Sequence, residues 1–132
     1  MTLTSPLTGV VRYCTTRDGV RVAFEQLGSG PPILKAANWM SHLDEDRQSP
    51  LARHWLQLLS DGRQLTRFDG RGHGLSEREP PDLSFDGMLC DLEAVADAAR
   101  LERVPLLGFC HGGPLAIGYA VRHPERVSAL IL

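Results

Sequence analysis

The chain is predicted to fold as an α/β domain, a mostly parallel sheet of about six strands with helices on both faces. Three observations lead there. Strand-like and helix-like segments alternate after an opening hairpin. An apolar run from Val104 passes through Gly108-Phe109-Cys110-His111-Gly112-Gly113 straight into a helix-compatible segment, Pro114 to His123. Finally, 132 residues with 42% apolar and 23% charged side chains suffice for one domain with a real core, and not for two.

Each element has its own signal. Val11 to Thr16 alternates and is rich in strand formers, Asp18-Gly19 supplies a turn, and Val20 to Glu25 alternates again, which together read as a hairpin. Residues 1–10 read as a loose lead-in. Gly28-Ser29-Gly30-Pro31-Pro32 breaks the chain before a short strand, Ile33 to Ala37, and a polar loop is expected through Asp46. Pro50 to Ser60 reads as a helix with Ser49 as its cap and Leu51, Trp55, Leu58 and Leu59 on one face. Gln64 to Phe68 is a strand that runs into the glycine-rich loop Asp69-Gly70-Arg71-Gly72-His73-Gly74. Ser84 caps an amphipathic helix in which Phe85, Met88, Leu89, Leu92, Val95, Ala96 and Ala99 recur at helical spacing. Val104 to Phe109 is the next strand, and Val127 to Leu132 the last.

The bulk numbers exclude several functions. A net charge of −2 lacks the basic excess of a nucleic-acid binder. No run is long and apolar enough to span a bilayer, so no membrane role is expected. Met1 to Val11 lacks the features of a signal peptide. Cys14, Cys90 and Cys110 are odd in number and widely spaced, without a disulfide or zinc pattern. A cytoplasmic setting is expected. His42-Leu43-Asp44-Glu45-Asp46 reads as a solvated acidic loop, and no metal is expected. Gly108-x-x-x-Gly112-Gly113 has neither dinucleotide nor phosphate-loop spacing, so no cofactor is expected.

Four features, in order, resemble the amino-terminal half of the α/β-hydrolase fold. They are Asp18-Gly19 between the first strands, Gly28 to Pro32 before the third, Asp69 to Ser76 after the fourth, and the Gly108 to Gly113 turn with His123-Pro124-Glu125-Arg126-Val127 behind its helix. The resemblance covers nearly all of residues 11 to 132. Lys35-Ala36-Ala37-Asn38-Trp39 is also similar to a bacterial subgroup sometimes fused to regulatory or cyclase domains. The resemblance implies strands in the spatial order first, second, fourth, third, fifth, sixth, with the first antiparallel to its neighbours.

It also implies a chemistry. A tight strand-to-helix turn holds the Cys110 side chain clear of the sheet, at the positive end of a helix dipole, a field that favours a thiolate. Cys110 is therefore the candidate nucleophile. The backbone N–H groups of His111 and Trp39 are the candidate oxyanion donors, Ala37-Asn38 standing where many members carry His-Gly. Gly108 and Gly112 are expected to be small because strand and helix crowd each other. The competing reading of Cys110 is a small thiol packed in a turn. His42 and His73 are expected to make loop hydrogen bonds. Asp69 and Arg71 are expected to brace their own loop, by an ion pair or by capping backbone N–H groups.

The triad acid and histidine of the family follow the nucleophile in chain order. After Cys110 come only His111, His123 and Glu125. His111 lies inside the turn, and His123 ends the following helix. The expectation is half of an active site, nearly inactive alone. Two functions stay open at this point. One is esterase- or thioesterase-like hydrolysis of a small acyl substrate through Cys110. The other is a non-enzymatic binding or regulatory module that keeps the pocket. The last strand, ending at Leu132, is expected to be an exposed edge open to self-association or to a second chain.

Overall fold

The computed structural model describes residues 7–132. Six strands form one sheet in the order β1-β2-β4-β3-β5-β6. They are β1 (Arg12–Thr15), β2 (Arg21–Leu27), β3 (Pro32–Lys35), β4 (Gln64–Phe68), β5 (Val104–Leu107) and β6 (Val127–Ile131). The spatial order is the expected one. The strand that runs against its neighbours is β2, antiparallel to both β1 and β4, while β4, β3, β5 and β6 are mutually parallel. The reversal follows from the hairpin: a short turn at Asp18-Gly19, with Gly19 at φ +87°, returns the chain at once. Thr16 closes that turn, its hydroxyl accepting from the Val20 N–H at 2.9 Å.

Four helices cover the sheet: α1 (Leu43–Gln48), α2 (Ala52–Leu59), α3 (Phe85–Ala98) and α4 (Gly112–Arg122). Successive side chains of a strand point to opposite faces, and β3 shows the result. Leu34 joins a core with Leu89, Leu92 and Val95 of α3 and Leu115 and Tyr119 of α4. Ile33 joins a smaller cluster with Leu27, Leu65 and Leu56 of α2. Helix α3 carries the expected stripe, and the Ser84 hydroxyl accepts from the Gly87 N–H at 3.1 Å. Helices α3 and α4 touch closely where Gly118 leaves room for the Phe85 ring.

Three sequence expectations change. The polar loop through Asp46 contains a helix, α1, started by the His42 ring accepting from the Glu45 N–H at 3.2 Å. Its acidic first turn suits the positive end of a helix. The face of α2 also differs. Leu56 and Gln57 are buried, whereas Leu51, Trp55 and Leu58 are exposed. Leu56 wins because it is the side chain that reaches Leu27, Ile33 and Leu65. The N-cap of α2 is Leu51 rather than Ser49, whose hydroxyl still accepts from the N–H groups of Leu51 and Ala52 just ahead of the helix. In the expected lead-in, residues 1–6 lie outside the described residues, Leu7 packs on the smaller cluster, and the Gly9 carbonyl accepts from Arg47.

Candidate functional site

The turn between β5 and α4 is tight. Cys110 has φ +51°, a left-handed conformation that costs a non-glycine residue about 1–3 kcal/mol. Its side chain is exposed. Two short backbone bonds hold the turn, from Gly112 N–H to the Phe109 carbonyl at 2.8 Å and from Gly113 N–H to the Cys110 carbonyl at 3.0 Å. Gly108 is obligatory here, since a Cβ would lie 2.8 Å from the Ala116 Cβ, the Gly112 carbonyl oxygen and the Gly113 Cα. Gly112 is pressed from another side. Its Cβ would lie 3.1 Å from the carbonyl oxygens of Ala36 and Ala37, at the end of β3. The crowding expected of both glycines is present, and at Gly112 it comes from the residues just after β3 rather than from β5.

That contact brings the loop after β3 against the start of α4. Trp39 and His111 line the same small cavity, as do Ala37 and Leu115. His111 stands at the N-cap of α4 in helical backbone, and its ring makes no capping bond. Trp39 is mostly exposed.

The glycine-rich loop is braced, though not by an Asp69–Arg71 pair. The Asp69 carboxylate accepts from the Ser41 hydroxyl at 2.7 Å, the Leu43 N–H at 3.1 Å and the Leu75 N–H at 2.9 Å. It thus ties its own loop to the segment that carries Trp39. Arg71 is fully buried and reaches elsewhere. Its Nε donates to Asp91 at 2.9 Å, and its two terminal nitrogens grip Asp18 at 2.7 and 2.9 Å. The Asp18 carboxyl is held well below the usual range, chiefly by these Arg71 bonds. Asp91 shares the same cation, yet burial dominates and pushes it up to about 6.

Three of the five histidines are committed away from Cys110. His42 caps α1, the His73 ring pairs with the Arg71 carbonyl at 3.0 Å, and His123 pairs with Glu93 at 3.1 Å while lying against Tyr119. Among the described residues no histidine ring hydrogen-bonds the Cys110 thiol. None of the described residues forms a group of three or more His, Cys, Asp or Glu side chains placed to hold a metal ion. Among the described residues no helix is long and apolar enough to cross a membrane.

One cluster was not foreseen. On the α2 face, Glu25 of β2 is buried and receives Arg67 of β4 at 2.6 and 2.8 Å, and Arg67 reaches Asp46 of α1 at 3.2 Å. Lys35 of β3 stands beside them. The readable signal was a lysine inside the short apolar run Ile33 to Ala37.

Residues 40–132 match the family model of the alpha/beta hydrolase fold. The chain belongs to the α/β-hydrolase fold family. It is 35% identical over 107 residues to the 2-hydroxymuconate semialdehyde hydrolase of Pseudomonas sp. (strain CF600), a match covering 80% of this chain and 33% of that protein. A non-heme haloperoxidase of Rhodococcus erythropolis is 30% identical over 122 residues, covering 91% and 42%. Among solved structures, a hydrolase from Pseudomonas aeruginosa PA01 superposes with a TM-score of 0.79 at 24% identity, covering 92% of this chain and 44% of that one. An esterase from Exiguobacterium antarcticum gives 0.73 at 26%, with 92% and 44% covered. The first likeness is one of fold. The chain spans less than half the length of these relatives.

Proposed function

We propose that this α/β-hydrolase-fold chain supplies the nucleophile half of an esterase- or thioesterase-like site for a small acyl substrate. The observation that carries the reading is Cys110, exposed on a strand-to-helix turn at φ +51°. In this reading the Cys110 thiolate attacks the acyl carbonyl carbon. The carbonyl electron pair moves onto oxygen, which accepts hydrogen bonds from the backbone N–H groups of His111 and Trp39. Collapse of that intermediate breaks the bond to the leaving alkoxide or thiolate, which takes up a proton, and leaves a Cys110 thioester. Water, losing its proton to a base, then attacks the thioester and releases the acid and the Cys110 thiol. In this reading the base and its orienting acid are supplied from outside the described residues, since His42, His73 and His123 are engaged in structural bonds.

A second reading is a binding or regulatory module that keeps the turn without turnover. The commitment of His42, His73 and His123 to structural bonds favours it.

Acyl trapping separates the two. The protein is mixed with p-nitrophenyl acetate and followed by released nitrophenolate and by peptide mass spectrometry. Stoichiometric acetylation of Cys110 with slow release supports the hydrolase reading, and Cys110→Ala should abolish it. The other thiols are poor competitors, since Cys90 is buried and burial pushes the Cys14 thiol up to about 11. An unmodified Cys110 under conditions that acetylate surface lysines overturns the reading and favours the module.

A further inference from the structure

Strand β1 and helix α3 border an open groove of about 600 Å³ that the acyl chemistry does not use. Cys14 of β1 and Arg17 just beyond the strand line one side, and Cys90 and Glu93 of α3 line the other. Two of the three thiols of the chain therefore share one space. Strand β1 lies at the opposite edge of the sheet from β6.

The two thiols have different surroundings. Cys14 is half-buried and packs against the main core. Burial, first, and then the Asp91 charge push its thiol up to about 11. Cys90 is buried, with Arg17 beside its sulfur. The Arg17 guanidinium is pushed up first by a hydrogen bond with Cys90 and then by Glu93, which it meets at 3.6 Å. Two ionic ties hold together the segments that carry the thiols. Arg71 grips Asp18, four residues after Cys14, and Asp91, the neighbour of Cys90. Arg17 reaches Glu93, three residues after Cys90. Both ties join the start of the hairpin to α3, and the thiols sit beside them.

We propose that Cys14 and Cys90 are a redox pair, which hydrogen peroxide joins in a disulfide that clamps β1 to α3. The groove gives so small an oxidant access to both sulfurs. Cys90 is oxidised first, because Cys14 forms little thiolate at neutral pH. The Cys90 thiolate attacks one peroxide oxygen and the O–O bond breaks. The departing hydroxide takes up the thiol proton as water, and Cys90 is left as a sulfenic acid. The Cys14 sulfur then attacks the Cys90 sulfur. The S–S bond forms, the S–O bond breaks, and hydroxide leaves with the Cys14 proton as a second water. The two thiols together lose two electrons, and the peroxide gains them. A bridge between residues 14 and 90 closes a long loop, the case in which a cross-link restricts the unfolded chain most. Cys110 takes no part, so the pair stands or falls independently of the acyl chemistry.

The test is treatment of the purified protein with hydrogen peroxide, alkylation of the remaining thiols with iodoacetamide, and tryptic peptide mapping without reduction. Cleavage at arginine places Cys14, Cys90 and Cys110 in three separate peptides, so the linkage is read directly in the wild type. The expected result is a Cys14–Cys90 linked peptide whose yield is independent of protein concentration. Treatment should raise the Tm at least about 5 °C more in the wild type than in Cys14→Ser, and dithiothreitol should reverse the rise. A sulfinic acid on Cys90 of the wild type without a linked peptide overturns the proposal. So do pairing of either thiol with Cys110, and two unreacted thiols at a peroxide dose that oxidises Cys110. A linked peptide with no added rise in Tm overturns the clamp.

Discussion

Replacing Lys35 by methionine should stabilise the protein at neutral pH. The amine is lowered to about 8 in the folded chain from its ordinary 10.5. A base with a depressed pKa in the folded state opposes folding while it is charged in both states. The unfolded chain binds the extra proton between the two values, so stability rises with pH across that window, from about 8 to 10.5. Below it the whole penalty is present, about 3 kcal/mol for a gap of this size. Partial exposure of the side chain reduces that figure. Loss of the bonds to Asn38 and the Ala36 carbonyl subtracts about 1 kcal/mol more. A net gain of about 1–2 kcal/mol is expected for Lys35→Met, a rise in Tm of roughly 4–8 °C for a chain of this size. Urea denaturation of both proteins from pH 6 to pH 10 measures it. The gap between variant and wild type should be largest below pH 8 and close towards pH 10. A less stable variant at pH 7, or a gap that does not change with pH, refutes the account of Lys35.

Other positions give sharper losses. Gly108→Ala places a methyl group 2.8 Å from three atoms, two of them backbone, and should cost about 3 kcal/mol in urea denaturation. Gly112→Ala meets its neighbours at 3.1 Å and should cost less, about 1 kcal/mol. Arg71→Met strands the buried Asp91 carboxylate and should cost about 3–5 kcal/mol, with partial recovery in the double variant Arg71→Met/Asp91→Leu. At the sheet edge, β6 has one neighbour and exposes Leu130 and Ile131. We propose that the 132-residue chain self-associates there; Ala129→Lys should shift it towards monomer in sedimentation velocity, and an unchanged distribution sinks the idea.

How much of this was legible depended on distance along the chain. Helix α3 announces itself through period and cap, because every residue that specifies it lies within the helix or one turn before it. The β5–α4 turn was equally plain, since its steric demand falls on Gly108 and Gly112 directly. Helix α1 was not. Four of its six residues are charged, so no apolar stripe marks it, and Arg67 of β4 holds its Asp46. The buried face of α2 does not follow its apolar stripe, since Leu51, Trp55 and Leu58 are exposed and Leu56 alone of its leucines is fully packed. The ties of Arg71 were also out of reach. Its partners Asp91 and Asp18 lie 20 and 53 residues away, and only the folded sheet makes them neighbours.

The contact of Gly112 with the Ala36 and Ala37 carbonyls has a wider consequence. It sets the gap between two loops by main chain against main chain, like a fixed gauge. Side chains in the loop after β3 carry little of that duty. Substitutions at Ala37 and Asn38 that leave the main chain in place should therefore preserve that spacing. Variation in this loop is free to change the lining chemistry without changing the gap. A substitution at Gly112 does the reverse: it alters the dimensions and leaves the lining chemistry intact.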